Sequence, residues 1–144
     1  MLALFVALGL ANVFGEEPVA DSARADEGIL EVSAPTRVRG GLFFQGRFRV
    51  DARRTMRHVT LVLDRGWQEQ LSINTIEPAP VSESSRNGRL ALDFGALARG
   101  QSLVAYLQFQ VNPAQWPARR PQGVELADGS RRIVRINRTL TVLP

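Results

Sequence analysis

The residues with which this chain could do chemistry are few, and their spacing fits no known catalytic pattern. His58 is the sole histidine and there is no cysteine. Any Ser–His–acid relay would depend on that one imidazole, and a transition-metal site would lack the donors it normally uses. His58 opens the apolar run Val59–Leu63, a place that suits a structural or surface histidine. Ser82, Ser84 and Ser85 lie outside any nucleophile-elbow pattern. Asp64, Glu69, Glu77 and Glu83 are the carboxylates from which a glycosidase pair would be drawn. Such a pair needs a controlled separation rather than abundance, and turns and surface account for all four. Asp26, Glu27 and Glu31 lack the ligand spacing of an EF-hand. Gly40-Gly41 and the Gly95/Gly100 pair match neither a P-loop nor a dinucleotide fingerprint and mark turns instead. The sequence therefore points away from an enzyme and implies no cofactor and no metal.

Four residues are better candidates for an interaction surface: Trp67, Tyr106, Trp116 and Arg138. Tyr106 lies on the phase opposite Leu103, Ala105 and Leu107, so strand alternation turns it away from the core. Trp67 and Trp116 fall in expected loops. Aromatic rings offer large contact area at little side-chain entropy, which suits a protein partner or a sugar. The alternative for the tryptophans is packing at the ends of a sandwich. Arg138 interrupts an apolar face, which calls for a bulge, a guanidinium snorkelling to the rim, or a specific ion pair.

The elements that must position these residues are short strands. Phe44, Phe48 and Val50 alternate with Gln45, Arg47 and Arg49, and Val59, Leu61 and Leu63 repeat the pattern. Leu71 and Ile73 begin another strand that ends at Glu77-Pro78-Ala79-Pro80, since proline removes a ladder donor. Residues 80–87 read as a polar connecting loop closed by Asn87-Gly88. Leu90, Leu92 and Phe94 follow, then the long face Leu103, Ala105, Leu107, Phe109 and Val111. Asp128-Gly129 marks a hairpin leading to Val134, Ile136, Leu140 and Val142. Seven or eight such strands in one domain predict an all-β fold, two antiparallel sheets packed as an immunoglobulin-like sandwich.

Ahead of the strands, residues 1–15 are almost wholly apolar. They read as a signal-anchor or incomplete transmembrane helix, shorter than the roughly 20 residues a span needs. Residues 16–27, rich in Glu, Asp, Ala and Ser, read as a flexible linker, and 28–144 as the sandwich. These expectations place the chain at the cell membrane with the β domain extracytoplasmic; secretion after signal cleavage is the other reading. All eighteen basic residues are arginine, and from Arg24 onward they face eleven acidic residues, a formal +7. That excess fits an ordinary solvated surface, or an anionic lipid or polymer. No nucleic-acid motif accompanies it.

Four features carry a family likeness: the first strand's Pro-containing end at Ala34-Pro35, Gly40-Gly41 before Leu42-Phe43-Phe44, His58 to Asp64 before Gly66-Trp67, and the approach Phe94-Gly95-Ala96-Leu97-Ala98-Arg99-Gly100-Gln101-Ser102. They resemble the immunoglobulin-like modules repeated in bacterial surface and secreted proteins. The resemblance implies adhesion, scaffolding or spacing. The expected function is thus a non-catalytic, membrane-tethered interaction or scaffolding domain whose partner is a membrane or envelope protein. A carbohydrate- or envelope-polymer-binding module built on the exposed aromatics is the alternative.

Overall fold

Strands make up nearly all the regular structure of the computed structural model, which describes residues 17–113 and 115–144. In chain order they are β1 (Val19–Arg24), β2 (Gly28–Ala34), β3 (Arg37–Arg39), β4 (Phe43–Ala52) and β5 (Val59–Leu63). After a 3-10 turn at Arg65–Trp67 come β6 (Leu71–Glu77), β7 (Ser82–Arg86), β8 (Arg89–Asp93) and β9 (Ser102–Val111). The chain finishes with β10 (Ala118–Pro121), β11 (Val124–Asp128), β12 (Arg131–Ile136) and β13 (Thr139–Leu143).

Two five-stranded antiparallel sheets, ordered β1-β2-β4-β9-β6 and β12-β11-β5-β8-β7, form the layers. A third sheet, β10-β13-β3, adds the one parallel pairing among the described strands, β13 with β3. Period-two alternation decides what each layer buries. From the first sheet come Leu30, Val32, Phe44, Phe48, Val50, Leu107 and Phe109; from the second come Val59, Leu61, Leu63, Leu92, Val124 and Leu126. Leu140 and Val142 of β13 and Val38 of β3 join the same core.

The 3-10 turn sends Trp67 inward, where its ring lies 5.2 Å from Phe48 and 5.3 Å from Phe109. Its indole N–H donates to the carbonyls of Gln122 (3.0 Å) and Gly123 (3.2 Å), which ties the turn to the start of β11. Gly66 permits this approach, because a Cβ there would run into the Pro121 carbonyl.

Several expectations need correction. The described residues contain no α-helix, and so no helix long and apolar enough to cross a membrane. The N-terminal hydrophobic helix is no part of the architecture described, and no described helix carries the membrane-anchored placement; residues 1–15 themselves lie outside the described residues. Val19–Arg24, inside the stretch read as a linker, is a strand paired with β2 along its whole length. Ser82–Arg86, read as a loop, is a strand paired with β8. Thirteen strands replace the expected seven or eight because the run from Val134 to Val142 breaks into β12 and β13, and because β1, β3, β7 and β10 carry little apolar alternation: VADSAR, RVR, SESSR and ARRP. Edge strands held by backbone ladders need no such pattern.

Candidate functional site

The four sequence-predicted residues do not meet on one surface. Trp67 is fully buried, whereas Trp116, in the connection before β10, is 78% exposed and Tyr106 is 38% exposed. No aromatic platform of Trp67, Tyr106 and Trp116 is assembled. Arg138 lies between β12 and β13 where the strand breaks, and its side chain points inward rather than to the rim. Its guanidinium stands 3.0 Å from the Asp21 carboxylate on β1 and 5.8 Å from the centre of the Trp67 ring. It donates to the Ala34 carbonyl at 2.5 Å and the Val19 carbonyl at 3.3 Å. Burial draws its pKa below the arginine norm, with Asp21 pulling the other way. Arg138 is thus an internal fastener that pins β1 to the end of β2.

The carboxylates are likewise engaged in structure. Asp64 accepts two hydrogen bonds from Arg135, at 3.0 and 2.6 Å, and one from the Gly123 amide at 2.9 Å. The hydrogen bond to Asp64 raises the Arg135 pKa. Asp64 and Glu69 both border a cleft of about 490 Å³ with Arg65, Asn87, Arg89 and Pro121, yet Glu69 is paired with Arg120 at 3.4 Å. With both charges committed to arginines, neither carboxylate is placed as a free acid or base. His58 Nδ1 lies 3.2 Å from Asp93, at the opposite end of β5 from Asp64. Among the described residues no group of three or more His, Asp or Glu side chains could hold a metal ion.

The outer face of the first sheet is a different kind of surface. Residues paired across antiparallel strands project to the same side, so the register assigns its rows. One row runs Ser33, Arg47, Tyr106 and Glu77 across β2, β4, β9 and β6. The next holds Gln45, Gln108 and Thr75, and the one beyond it Phe43, Gln110 and Ser72. Phe43 is 51% exposed, so two aromatics share this face with three glutamines between and beside them. Arg47 meets Glu31 at 3.7 Å, while exposed Glu77 at the end of the row has no ion-pair partner among the described residues.

The outer face of the second sheet is built differently. Arg89 and Arg132 both reach Glu125, at 3.6 and 3.4 Å. Because β5 separates β8 from β11, the Arg89 side chain crosses over β5, where Val62 is fully buried. Sequence reasoning located Tyr106 by its phase but passed over Phe43. The signal was present: Phe43 precedes inward-facing Phe44 and therefore points outward.

Fold and surface together define an immunoglobulin-like β-sandwich with one amide- and aromatic-bearing outer face. No protein-family model and no curated protein matches the chain. Among solved structures it is similar to AvmM, which catalyzes macrocyclization in alchivemycin A biosynthesis, with TM-score 0.53 and 10% identity over 88% of this chain and 96% of that one. It is also similar to a non-cellulosomal cohesin from the hyperthermophilic archaeon Archaeoglobus fulgidus, with TM-score 0.46 and 14% identity over 77% of this chain and 88% of that one. A third structure, CaCohA2 from Clostridium acetobutylicum, gives TM-score 0.47 and 12% identity over 77% and 90%. At such identities the likeness to AvmM is one of fold, so activity has to be argued from the surface itself.

Proposed function

We propose that the chain is a non-catalytic protein-binding module that docks a folded partner on the outer face of its first sheet, centred on Tyr106. The observation that carries this reading is the exposure of Phe43 and Tyr106 on one rigid antiparallel face, spaced by Gln45, Gln108 and Gln110. Protein interfaces are enriched in aromatic anchors, and this face carries two. Its strands β4 and β9, at ten residues each, are the longest among the described residues, so the anchors are held with little entropy left to lose. The amide side chains supply donors and acceptors that fit another protein's polar rim. A carbohydrate platform has less support, since Trp67 is inside the core and only separate aromatics remain outside.

A photo-crosslinking residue placed at Gln108 tests the proposal against the same residue placed at Ser84, on the other sheet. A discrete crosslinked species from Gln108 that disappears in the Phe43→Ala/Tyr106→Ala double variant supports it. Equal crosslinking from both positions, or crosslinks that survive the double variant, would count against it.

A further inference from the structure

The third sheet gathers arginines from two of its strands on one outward face. Across its three strands Arg37, Thr141 and Arg119 form one row, since Thr141 pairs with Arg37 on one side and Arg119 on the other. Val38, Leu140 and Val142 are buried, so their neighbours Arg37, Arg39, Thr141 and Arg119 take the outward phase. Arg37, Arg39 and Arg119 are exposed.

Eight other arginines, Arg120 of β10 among them, approach a carboxylate within 3.7 Å. None of these three has an ion-pair or side-chain hydrogen-bond partner among the described residues, and no aspartate or glutamate occurs in the three strands. At about 10 Å, two strand spacings, Arg37 and Arg119 are largely screened from each other, and the three guanidinium groups stay open to an external anion.

We infer that this face binds an anionic polymer that carries tetrahedral oxyanion groups, phosphate or sulfate. Arg37 and Arg119 flank Thr141 about 10 Å apart, two strand spacings, and Arg39 sits about 7 Å further along β3. Two long guanidinium side chains can therefore close over the Thr141 hydroxyl from either side and present donors to one oxyanion. Arg39 is placed for the next group along the polymer. Magnitude decides between a polymer and a free ion. An exposed ion contact contributes about 0–1 kcal/mol, so a single oxyanion on this open surface gains little. A chain that engages all three arginines at once makes the second and third contacts intramolecular, and it releases counterions as it binds. The inference is independent of the docking face, which lies on a different sheet.

The test uses inorganic polyphosphate as probe, with binding to the full chain measured between 50 and 200 mM NaCl. Three variants of retained melting temperature are compared: Arg37→Gln/Arg39→Gln/Arg119→Gln, Thr141→Val, and a control, Arg53→Gln/Arg54→Gln/Arg57→Gln, with the same charge loss at the β4–β5 connection. Removing three contacts should flatten the slope of log K against log salt by about 2, at roughly 0.7 per contact for a flexible chain. Thr141→Val should weaken binding at unchanged slope, and the control should move the slope by less than half as much as the test triple. Equal slopes for the two triple variants would reduce the effect to net charge and overturn the inference. Saturable binding of orthophosphate at the same concentration of phosphoryl groups would overturn the polymer and leave a free-ion site.

Discussion

Arg138 gives the sharpest stability prediction, because its environment separates the contribution of a charge from that of a side-chain stem. In Arg138→Ala the Ala34 carbonyl, on a fully buried residue, loses its guanidinium donor. A buried acceptor left short costs about 1–3 kcal/mol. Deleting the stem over the Trp67 ring opens a gap worth about another 1–2 kcal/mol. Asp21, with 39% of its side chain exposed, rehydrates at small cost, so little is added for the lost ion pair. The expected loss is about 3 kcal/mol. Arg138→Met keeps most of the packing and removes a desolvated charge whose Nη1 has no partner in the structure. Its expected loss is about 1 kcal/mol.

Urea unfolding at pH 7 reads both values, and hydrogen exchange reports where the damage falls. The amides of Val19–Arg24 should lose protection first, since Arg138 ties β1 to the end of β2 through the Val19 and Ala34 carbonyls and holds Asp21. A loss below about 0.5 kcal/mol for Arg138→Ala would refute the reasoning. So would a methionine variant as damaged as the alanine variant, because packing would then not separate from charge.

Two further outcomes follow from single side chains. Trp67 is sealed in the core and Trp116 is open to solvent, so Trp116→Phe should leave blue-shifted emission resistant to acrylamide quenching. Red-shifted, quenchable emission from that variant would contradict the burial of Trp67. Asp51 accepts hydrogen bonds from Ser102 and Arg49, and these, led by the Ser102 hydroxyl, lower its pKa from the ordinary 3.8. A carboxyl whose folded pKa is depressed contributes stability that is complete above its unfolded value and lost as pH falls through the folded one. Asp51→Asn should therefore flatten the fall in stability below about pH 4 and leave the neutral range unchanged in slope. An acid limb as steep as in the parent chain, measured by urea unfolding from pH 5 to pH 2, would contradict this.

The legible part of the fold was the part written in alternation. Phe44, Phe48 and Val50, then Leu103 through Val111, had one apolar phase each, and those phases face the core. The same rule turned Tyr106 outward. The strands that escaped reading were β1, β3, β7 and β10, whose side chains are mostly polar and whose place depends on a neighbour's backbone. Trp67 and Arg138 were left between alternatives for a related reason. An indole in a turn and an arginine on an apolar phase both look like surface features until the partners that satisfy them are known: the Gln122 and Gly123 carbonyls for one, Asp21 and the Ala34 carbonyl for the other.

The sequence by itself determined the all-β character of the chain, its main core residues, and the lack of any recognisable catalytic constellation. Period-two hydrophobicity and residue inventory are local properties, and each can be read one strand at a time. Only the tertiary structure decided which residues share a surface. Strand order and register set Tyr106 on one face with Phe43, and Arg37 in one row with Arg119 across β13. Those juxtapositions join positions as many as 82 residues apart along the chain. Pairing between distant strands fixes them, and no short-range spacing encodes it.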